Sequence, residues 1–287
     1  MKGYILIVDS GATKTEWRLI GAKVLPSIFT KGISPYHMNQ IEITDLLRKE
    51  LPQNLLKKEI RQIFYYGTGC LTKPKAAIVK KSLVGLFPKA KISVTHDLMG
   101  AAIAVCGKNK GIACIMGTGS NSCYYNGKKI VSNSPGLGYV LGDEGSGAYL
   151  GRKLIQHVLY GMLDDELSNA FKKTYDTNKD EILHKVYKEP YANRYLAGFT
   201  QFLSVHRGHF MIENIIEDGL RDFFEIHINS YPQRFDHPIH FVGSIAFYFK
   251  DKIEELCVDF GLKMGNVLKQ PMTGLVAFHK KHNGTIN

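Results

Sequence analysis

The chain has little to offer metal–thiolate chemistry. Its five cysteines (Cys70, Cys106, Cys114, Cys123 and Cys257) are scattered, form no CxxC pair and lie mostly inside apolar stretches. That spacing builds neither a zinc nor an iron–sulfur site, and buried thiols in a reducing compartment are the expectation. No run of about 18 apolar residues occurs, so a membrane span is not expected. Lys2 leads directly into an apolar strand at residues 4–8, with no leader-like apolar region, so secretion is not expected and the cytoplasm is. Neither GxxxxGK[ST] nor GxGxxG with a downstream acid is present, which excludes the P-loop and the Rossmann fingerprint. Acids are outnumbered by bases, 26 to 37, giving a formal charge of +11. The lysines are dispersed in pairs, such as Lys57-Lys58 and Lys172-Lys173, without interleaved aromatics. A small phosphorylated ligand fits that pattern, and nucleic acid is not the expected partner.

What is present is a repeated unit. Residues 4–9, 15–20 and 23–29 read as three strands, followed by helices near 42–51 and 55–61. A strand at 62–66 ends in Gly67-Thr-Gly-Cys70, a helix spans 74–87, a strand spans 91–95, and a small-residue helix follows His96-Asp97. The order then restarts: strands at 111–116 and 122–126, the hairpin signal Asn126-Gly127, and a return strand at 128–132. A glycine-rich stretch runs from Pro135 to Gly151, and a helix from 146 to 160. Amphipathic helices fill 163–230. A strand at 239–242 precedes Gly243-Ser244 and a helix to about 260, and a last helix occupies 273–282. Strands alternating with helices predict α/β architecture with mostly parallel sheets. The expected boundary is the polar turn at 107–111, giving an N-terminal domain of 1–107 and a C-terminal domain of 108–287. A helical insertion is expected at about 146–235, and the last helix is free to pack back on the first domain.

The chemistry gathers at strand ends. In Asp9-Ser-Gly-Ala-Thr-Lys-Thr15, Gly11 permits a tight turn, and Ser10, Thr13 and Thr15 carry hydroxyls. Phosphate binding needs converging N–H donors and no side chain in the way, which glycine provides. Asp9 can hold Mg²⁺ directly or through water, since Mg²⁺ takes few carboxylates. Lys14 either neutralises a phosphate or is a solvated turn lysine. Gly117-Thr-Gly-Ser-Asn-Ser122 is the second such loop, at the equivalent place in the repeat. Asp97, between a strand end and a helix start, is either a general base or an N-cap. Glycines at 136, 138, 142, 145 and 147 surround Asp143 and Glu144, which either cap a helix or accept hydrogen bonds from ligand hydroxyls. Gly243-Ser244 forms a third strand–glycine–helix junction, suited to a flat purine.

Together, DSGATKT, HD before a small-residue helix, GTGSNS, GDEGS and VGS resemble the actin/hexokinase/heat-shock-chaperone ATPase superfamily. Within it the chain is similar to the BadF/BadG/BcrA/BcrD group, and most similar to N-acetylglucosamine kinases. The resemblance implies two ribonuclease-H-like (actin-like ATPase) domains with a nucleotide cleft between them, and ATP with Mg²⁺ as cofactors. It assigns Ser10, Gly11, Thr13 and Lys14 to the first phosphate loop. It assigns Gly117, Thr118, Gly119 and Ser120 to the second, and Gly243 and Ser244 to adenosine. It makes Asp97 the catalytic aspartate and places Asp9 at the metal. It gives Ser34, Tyr36, Asn121, Gly138 and Asp143, with Asp97, to the sugar.

The chain departs from that pattern at two points. Near Tyr36 the mammalian kinases carry a sugar-binding asparagine, and here only Asn39 is close, out of register. A tryptophan before GDEGS is replaced by Leu137 or Tyr139. The zinc-binding cysteine motif of ROK kinases is absent. The implied reaction is transfer of the γ-phosphoryl group to the 6-hydroxyl of an N-acetylated amino sugar such as N-acetylglucosamine, with N-acetylmuramic acid or glucosamine as alternatives, in an enzyme that is a homodimer. Two other classes share the motifs. One is an ATPase that activates a reductase through cysteines near the second loop, where Cys114 and Cys123 lie. The other is a non-catalytic nucleotide-binding scaffold.

Overall fold

Ile5, Leu6, Ile7 and Val8 are all buried, as an apolar run in a strand covered on both faces must be. They belong to β1 (Tyr4–Ser10), the middle strand of the first sheet in the computed structural model, which describes residues 3–11 and 13–282. The sheet also contains β2 (Lys14–Ile20), β3 (Ile28–Lys31), β4 (Ile60–Gly67) and β5 (Lys91–Thr95), in the order β3-β2-β1-β4-β5. The hairpin pairs β1–β2 and β2–β3 are antiparallel, and β1–β4 and β4–β5 are parallel. Four helices complete this part: α1 (Gln40–Glu50), α2 (Gln53–Leu56), α3 (Lys73–Leu86) and α4 (Asp97–Cys106). Because side chains alternate along a strand, β1 serves two cores. Leu6 and Val8 join Trp17, Leu47, Val79 and Leu83, whereas Ile5 and Ile7 join Tyr66, Met272 and Leu275.

The second sheet repeats this connectivity. It consists of β6 (Lys110–Met116), β7 (Ser120–Asn126), β8 (Ile130–Ser134), β9 (Ile239–Val242) and β10 (Met264–Leu268), in the order β10-β9-β6-β7-β8. Between β8 and β9 lie α5 (Gly138–Leu141), α6 (Gly147–Leu159), α7 (Asp165–Thr174), α8 (Lys179–Tyr187), α9 (Ala192–Gly198), α10 (Thr200–Val205) and α11 (Phe210–Ile226). Then α12 (Ser244–Tyr248) and α13 (Lys250–Asp259) follow β9, and α14 (Met272–His282) follows β10. The apolar stripe of α11, Ile212-Ile215-Ile216-Leu220-Phe223, packs with Ile112, Cys114 and Met116 of β6 in one large core.

The chain divides into two compact units. The first holds the residues through Asn109, the Gly127–Lys129 turn and the segment from Gln270 that carries α14. The second holds Lys110–Asn126 and Ile130–Lys269. Within the first unit α14 packs on α4, β1 and β2, and its buried His279 hydrogen-bonds Tyr66 Oη at 2.8 Å and stacks on Phe64.

The sheets correct several expected boundaries. The strand expected at 23–29 forms only at Ile28–Lys31, because Val24 makes a single bridge to Ile20. The helix expected at 55–61 is one turn, ended by the entry of Ile60 into β4. The return strand lies at Ile130–Ser134 rather than 128–132, since the turn takes up Gly127–Lys129. The helix after Gly243 breaks at Phe249. Two elements had no clear pattern: α5, and β10, where Gly265 lies against the His240 ring. No helix among the described residues is long and apolar enough to cross a membrane.

The approach of α6 to α9 is close enough to test. A Cβ on Gly151 would lie 1.9 Å from the Leu196 carbonyl oxygen. Gly151→Ala is therefore expected to destabilise the protein by at least ~1–3 kcal/mol through overpacking. Urea unfolding measures this, and an unchanged midpoint contradicts the close approach.

Candidate active site

In the first unit, the ends of three adjacent parallel strands collect the polar residues, as open α/β sheets do at their carboxyl ends. These are Asp9 on β1, the Gly67-Thr68-Gly69 turn after β4, and Asp97 just past β5. The Thr68 amide donates to Ser10 O at 2.8 Å, which carries the β1–β4 pairing into the turns. Asp97 does not cap α4. His96 occupies the N-cap position, and Asp97 Oδ1 accepts the adjacent Leu98 amide at 2.9 Å. Burial raises the Asp97 pKa above the ordinary carboxylate range, opposed by the Leu98 amide, His96 and the Thr68 hydroxyl. Burial lowers that of His96, with Asp97 acting against it. Asp9 is pushed up to about 7, first by burial and then by the charges of Asp97 and Glu16, with Lys14 only partly compensating. Glu16, opposite Asp9 on β2, is already held by Arg18 and Ser27.

A cation beside Asp9 would relieve this crowding of negative charge. Among the described residues no cluster of three or more His, Cys, Asp or Glu could hold a metal. The donor set therefore fits Mg²⁺, which is satisfied by one carboxylate, waters and phosphate oxygens, and not a fully protein-ligated ion.

The first loop closes with the Gly11 amide on Lys14 O at 3.0 Å; Ala12 within it lies outside the described residues. Gly11, Thr13 and Lys14 are exposed, and the Lys14 ammonium sits 4.7 Å over the Phe29 ring. Ser10 departs from expectation. It is fully buried, and its hydroxyl lies 2.7 Å from Thr15 Oγ1, which donates to Lys31 O. Ser10 Oγ must then donate to Thr15 while accepting the Ile33 amide. It braces the loop from inside, because strand alternation turns it to the same side as Leu6 and Val8. The Ser34–Tyr36 loop rests on Gly69, whose φ of 75° and proximity to Tyr36 leave no room for a Cβ. Lys75 donates to Pro35 O at 2.9 Å and lies 4.9 Å over the Tyr36 ring. Asn39 forms the capping box of α1 with Glu42, which removes it from ligand binding.

In the second unit, Gly117, Thr118, Gly119 and Ser120 link β6 to β7. The Gly117 amide donates to Gly119 O, and the Gly147 and Ala148 amides of α6 donate to Gly117 O and Thr118 O at 2.8 and 3.0 Å. Gly243, at φ 133°, lies so near that a Cβ would sit 2.1 Å from Met116 O. Ser244 is exposed at the start of α12. Asp143 adopts a left-handed backbone, φ 58°, uncommon for a residue with a Cβ. Its carboxylate accepts the Ser120 and Gly138 amides, and its pKa is raised by burial against them. A Cβ on Gly119 would lie 2.8 Å from Asp143 Oδ2. Asp143 thus ties the second loop to the glycine-rich stretch. Asn121 Oδ1 accepts from Asn133 Nδ2 at 2.8 Å. Ser120 Oγ is buried with no hydrogen-bond partner among the described residues. Cys114 and Cys123 are both fully buried.

Sequence motifs did not find Thr68, which sits in a turn next to Asp97, or His227 and Tyr231, which reach Glu144 and Ser122 from helical segments distant in the chain. A polar residue in a glycine turn after a parallel strand was the available signal for Thr68. For the other two there was none.

No family model matches the chain. A solved structure from Porphyromonas gingivalis, provisionally described as an N-acetylglucosamine kinase, is 39% identical and covers 98% of this chain and 100% of its own, with a TM-score of 0.93. A curated N-acetylmuramic acid/N-acetylglucosamine kinase from Clostridium acetobutylicum is 25% identical over 242 residues, 77% of each chain. A ROK-family glucokinase from Streptomyces griseus, solved with glucose and AMPPNP, shares the two-domain actin/hexokinase-like fold at 14% identity and a TM-score of 0.54, covering 96% of this chain and 98% of its own.

The raised Asp9 pKa has a consequence for stability. Between the ordinary 3.8 and about 7, the folded state holds a proton that the unfolded state has lost. Stability contributed by this site therefore falls as pH rises through that window. Without divalent cations, Asp9→Asn should be more stable than the wild type at about pH 8, with the gap closing toward about pH 4. Urea unfolding across pH checks this; a pH-independent gap contradicts it.

Proposed function

From the premise that the chain belongs to the actin-like sugar kinases, in the branch of the Porphyromonas gingivalis protein, and is an ATP-dependent carbohydrate kinase, we propose that its acceptor is an N-acetylated amino sugar, N-acetylglucosamine, phosphorylated on the 6-hydroxyl. The observation that carries transfer to a hydroxyl is Asp97. Its carboxylate stands at a strand end, free of a capping role, with a raised proton affinity suited to receiving a hydroxyl proton. Asp97 orients the acceptor hydroxyl and takes its proton. Asp9 would hold Mg²⁺, most simply through water, and that ion would shield charge on the phosphates. Gly11, Thr13 and Lys14, with Thr118, Gly119 and Ser120, present donors to the phosphate chain, and Gly243 and Ser244 give the adenosine a close backbone approach. Phosphoryl transfer asks the protein for positioning and charge stabilisation more than for covalent chemistry.

Ser34, Tyr36, Asn121, Gly138 and Asp143 are the proposed sugar contacts. Asp143 would exchange one of its backbone partners for a sugar hydroxyl. The amino-sugar assignment draws on the likeness to the two N-acetylglucosamine kinase relatives, and N-acetylmuramic acid is the second acceptor that the clostridial relative brings into view. The burial of Cys114 and Cys123 gives no support to a cluster-bearing activator. A homodimer in the cytoplasm completes the proposal.

ADP release across N-acetylglucosamine, N-acetylmannosamine, N-acetylmuramic acid, glucosamine and glucose tests the reading. N-acetylglucosamine should give the highest kcat/KM, and no sugar-stimulated turnover overturns it. Asp97→Asn should cut kcat by at least ~10²-fold while ATP still binds. Since the base must be ionised, kcat/KM should fall on the acid side with a midpoint above the ordinary aspartate value of about 4. A wild-type rate for Asp97→Asn removes the residue from this role.

A further inference from the structure

Behind the glycine-rich stretch runs an unbroken series of hydrogen bonds that the roles above do not use. His227 Nε2 lies 3.0 Å from Glu144 Oε2, and His227 Nδ1 lies 3.0 Å from Ser134 Oγ. The Ser134 amide donates to Tyr231 Oη at 2.7 Å, and Tyr231 Oη lies 2.8 Å from Ser122 Oγ. His227 and Tyr231 are each 2% exposed, and Ser122 is fully buried. The members come from the α11 C-cap, the following 3₁₀ turns, β8, β7 and the loop before α6.

The order of protons follows from the donor inventory. A carboxylate only accepts, so His227 Nε2 carries the proton toward Glu144, and Nδ1 pairs with the Ser134 hydroxyl, which can donate or accept. The carboxylate thus fixes the ring's tautomer, and the ring fixes the carboxylate. Glu144 directly follows Asp143, whose left-handed backbone lacks the freedom a glycine would have there. At its far end the series reaches Ser122, next to Asn121, and Asn121 Oδ1 is held by Asn133 of β8.

We infer that His227 is a positioning residue for the acceptor sugar. By anchoring Glu144 it keeps the Asp143 backbone turned so that the Asp143 carboxylate stays where it can exchange one of its amide partners for a sugar hydroxyl. Through Ser134 and Tyr231 it ties that turn to the strand bearing Asn121. The first nucleotide loop belongs to the other unit and Gly243 takes its place against Met116, while the second loop meets Asp143 at its last residue, Ser120. His227 therefore governs sugar binding more than ATP binding. This inference rests on the sugar-kinase reading, whose own failure would already be visible in the wild-type protein as absence of sugar-stimulated ADP release.

The test is steady-state kinetics with each substrate varied. His227→Leu should raise the sugar KM at least ~10-fold, as losing a hydrogen bond to a charged group predicts, with the ATP KM changed less than ~2-fold. His227→Gln, whose amide nitrogen can replace Nε2 as donor to Glu144, should recover most of the sugar KM. A wild-type sugar KM in His227→Leu overturns the inference. So does an equal rise in both KM values, which marks general loosening, and so does a Gln variant no better than Leu. Should His227→Leu not fold, Tyr231→Phe and Ser134→Ala carry the same test. Each should raise the sugar KM selectively, and unchanged values in both overturn the inference.

Discussion

The site in the second unit depends on one steric concession: Gly119 has no side chain where Asp143 places its carboxylate. That space lets Asp143 accept the Ser120 and Gly138 amides at once, fastening the loop after β6 to the stretch before α6. The α6 amides of Gly147 and Ala148 then close on Gly117 and Thr118, and Gly243 fits against Met116 because it too has no Cβ. A β-carbon at 119 would displace a buried carboxylate, and with it the turn proposed to meet the sugar.

The two units share a strand order but divide the chemistry. The repeat gives each a glycine turn after its central strand, the natural place for phosphate. The first unit adds acids, Asp9 and Asp97, at the ends of β1 and β5, where burial raises the proton affinity of both and the charge of Asp97 raises that of Asp9 further. The second adds glycines and amide donors, with Asp143 engaged inward. A buried carboxylate of raised proton affinity suits a cation or a reacting hydroxyl, whereas a glycine turn gives an anion close approach to the backbone. The net charge of +11 is thus no guide to the strand ends of the first unit, which gather the buried acids Asp9 and Asp97.

Much of this was legible in the sequence because its signals are local. Apolar runs such as Ile5–Val8 and Ile112–Met116 mark strands buried on both faces, and glycines after them mark turns. Asp97 could be placed at a strand–helix junction, although whether it capped α4 needed the position of His96. The inward rotation of Ser10 depends on strand register, whereas its neighbours Gly11 and Thr13 are exposed. The strand β10 was hidden because Gly265 breaks its alternation and its partner, β9, lies more than twenty residues upstream. His227 and Tyr231 gave no signal, since their significance lies in contacts with residues roughly a hundred positions away. The relatives resolve the family and leave the acceptor to chemistry.

The most direct measurement of the central claim is the identity of the phosphorylated product. The protein, with ATP, Mg²⁺ and N-acetylglucosamine, should yield a phosphate monoester whose ³¹P resonance couples to the two C6 protons of the sugar. Inorganic phosphate as the sole product, or an ester on a different oxygen, would contradict the account.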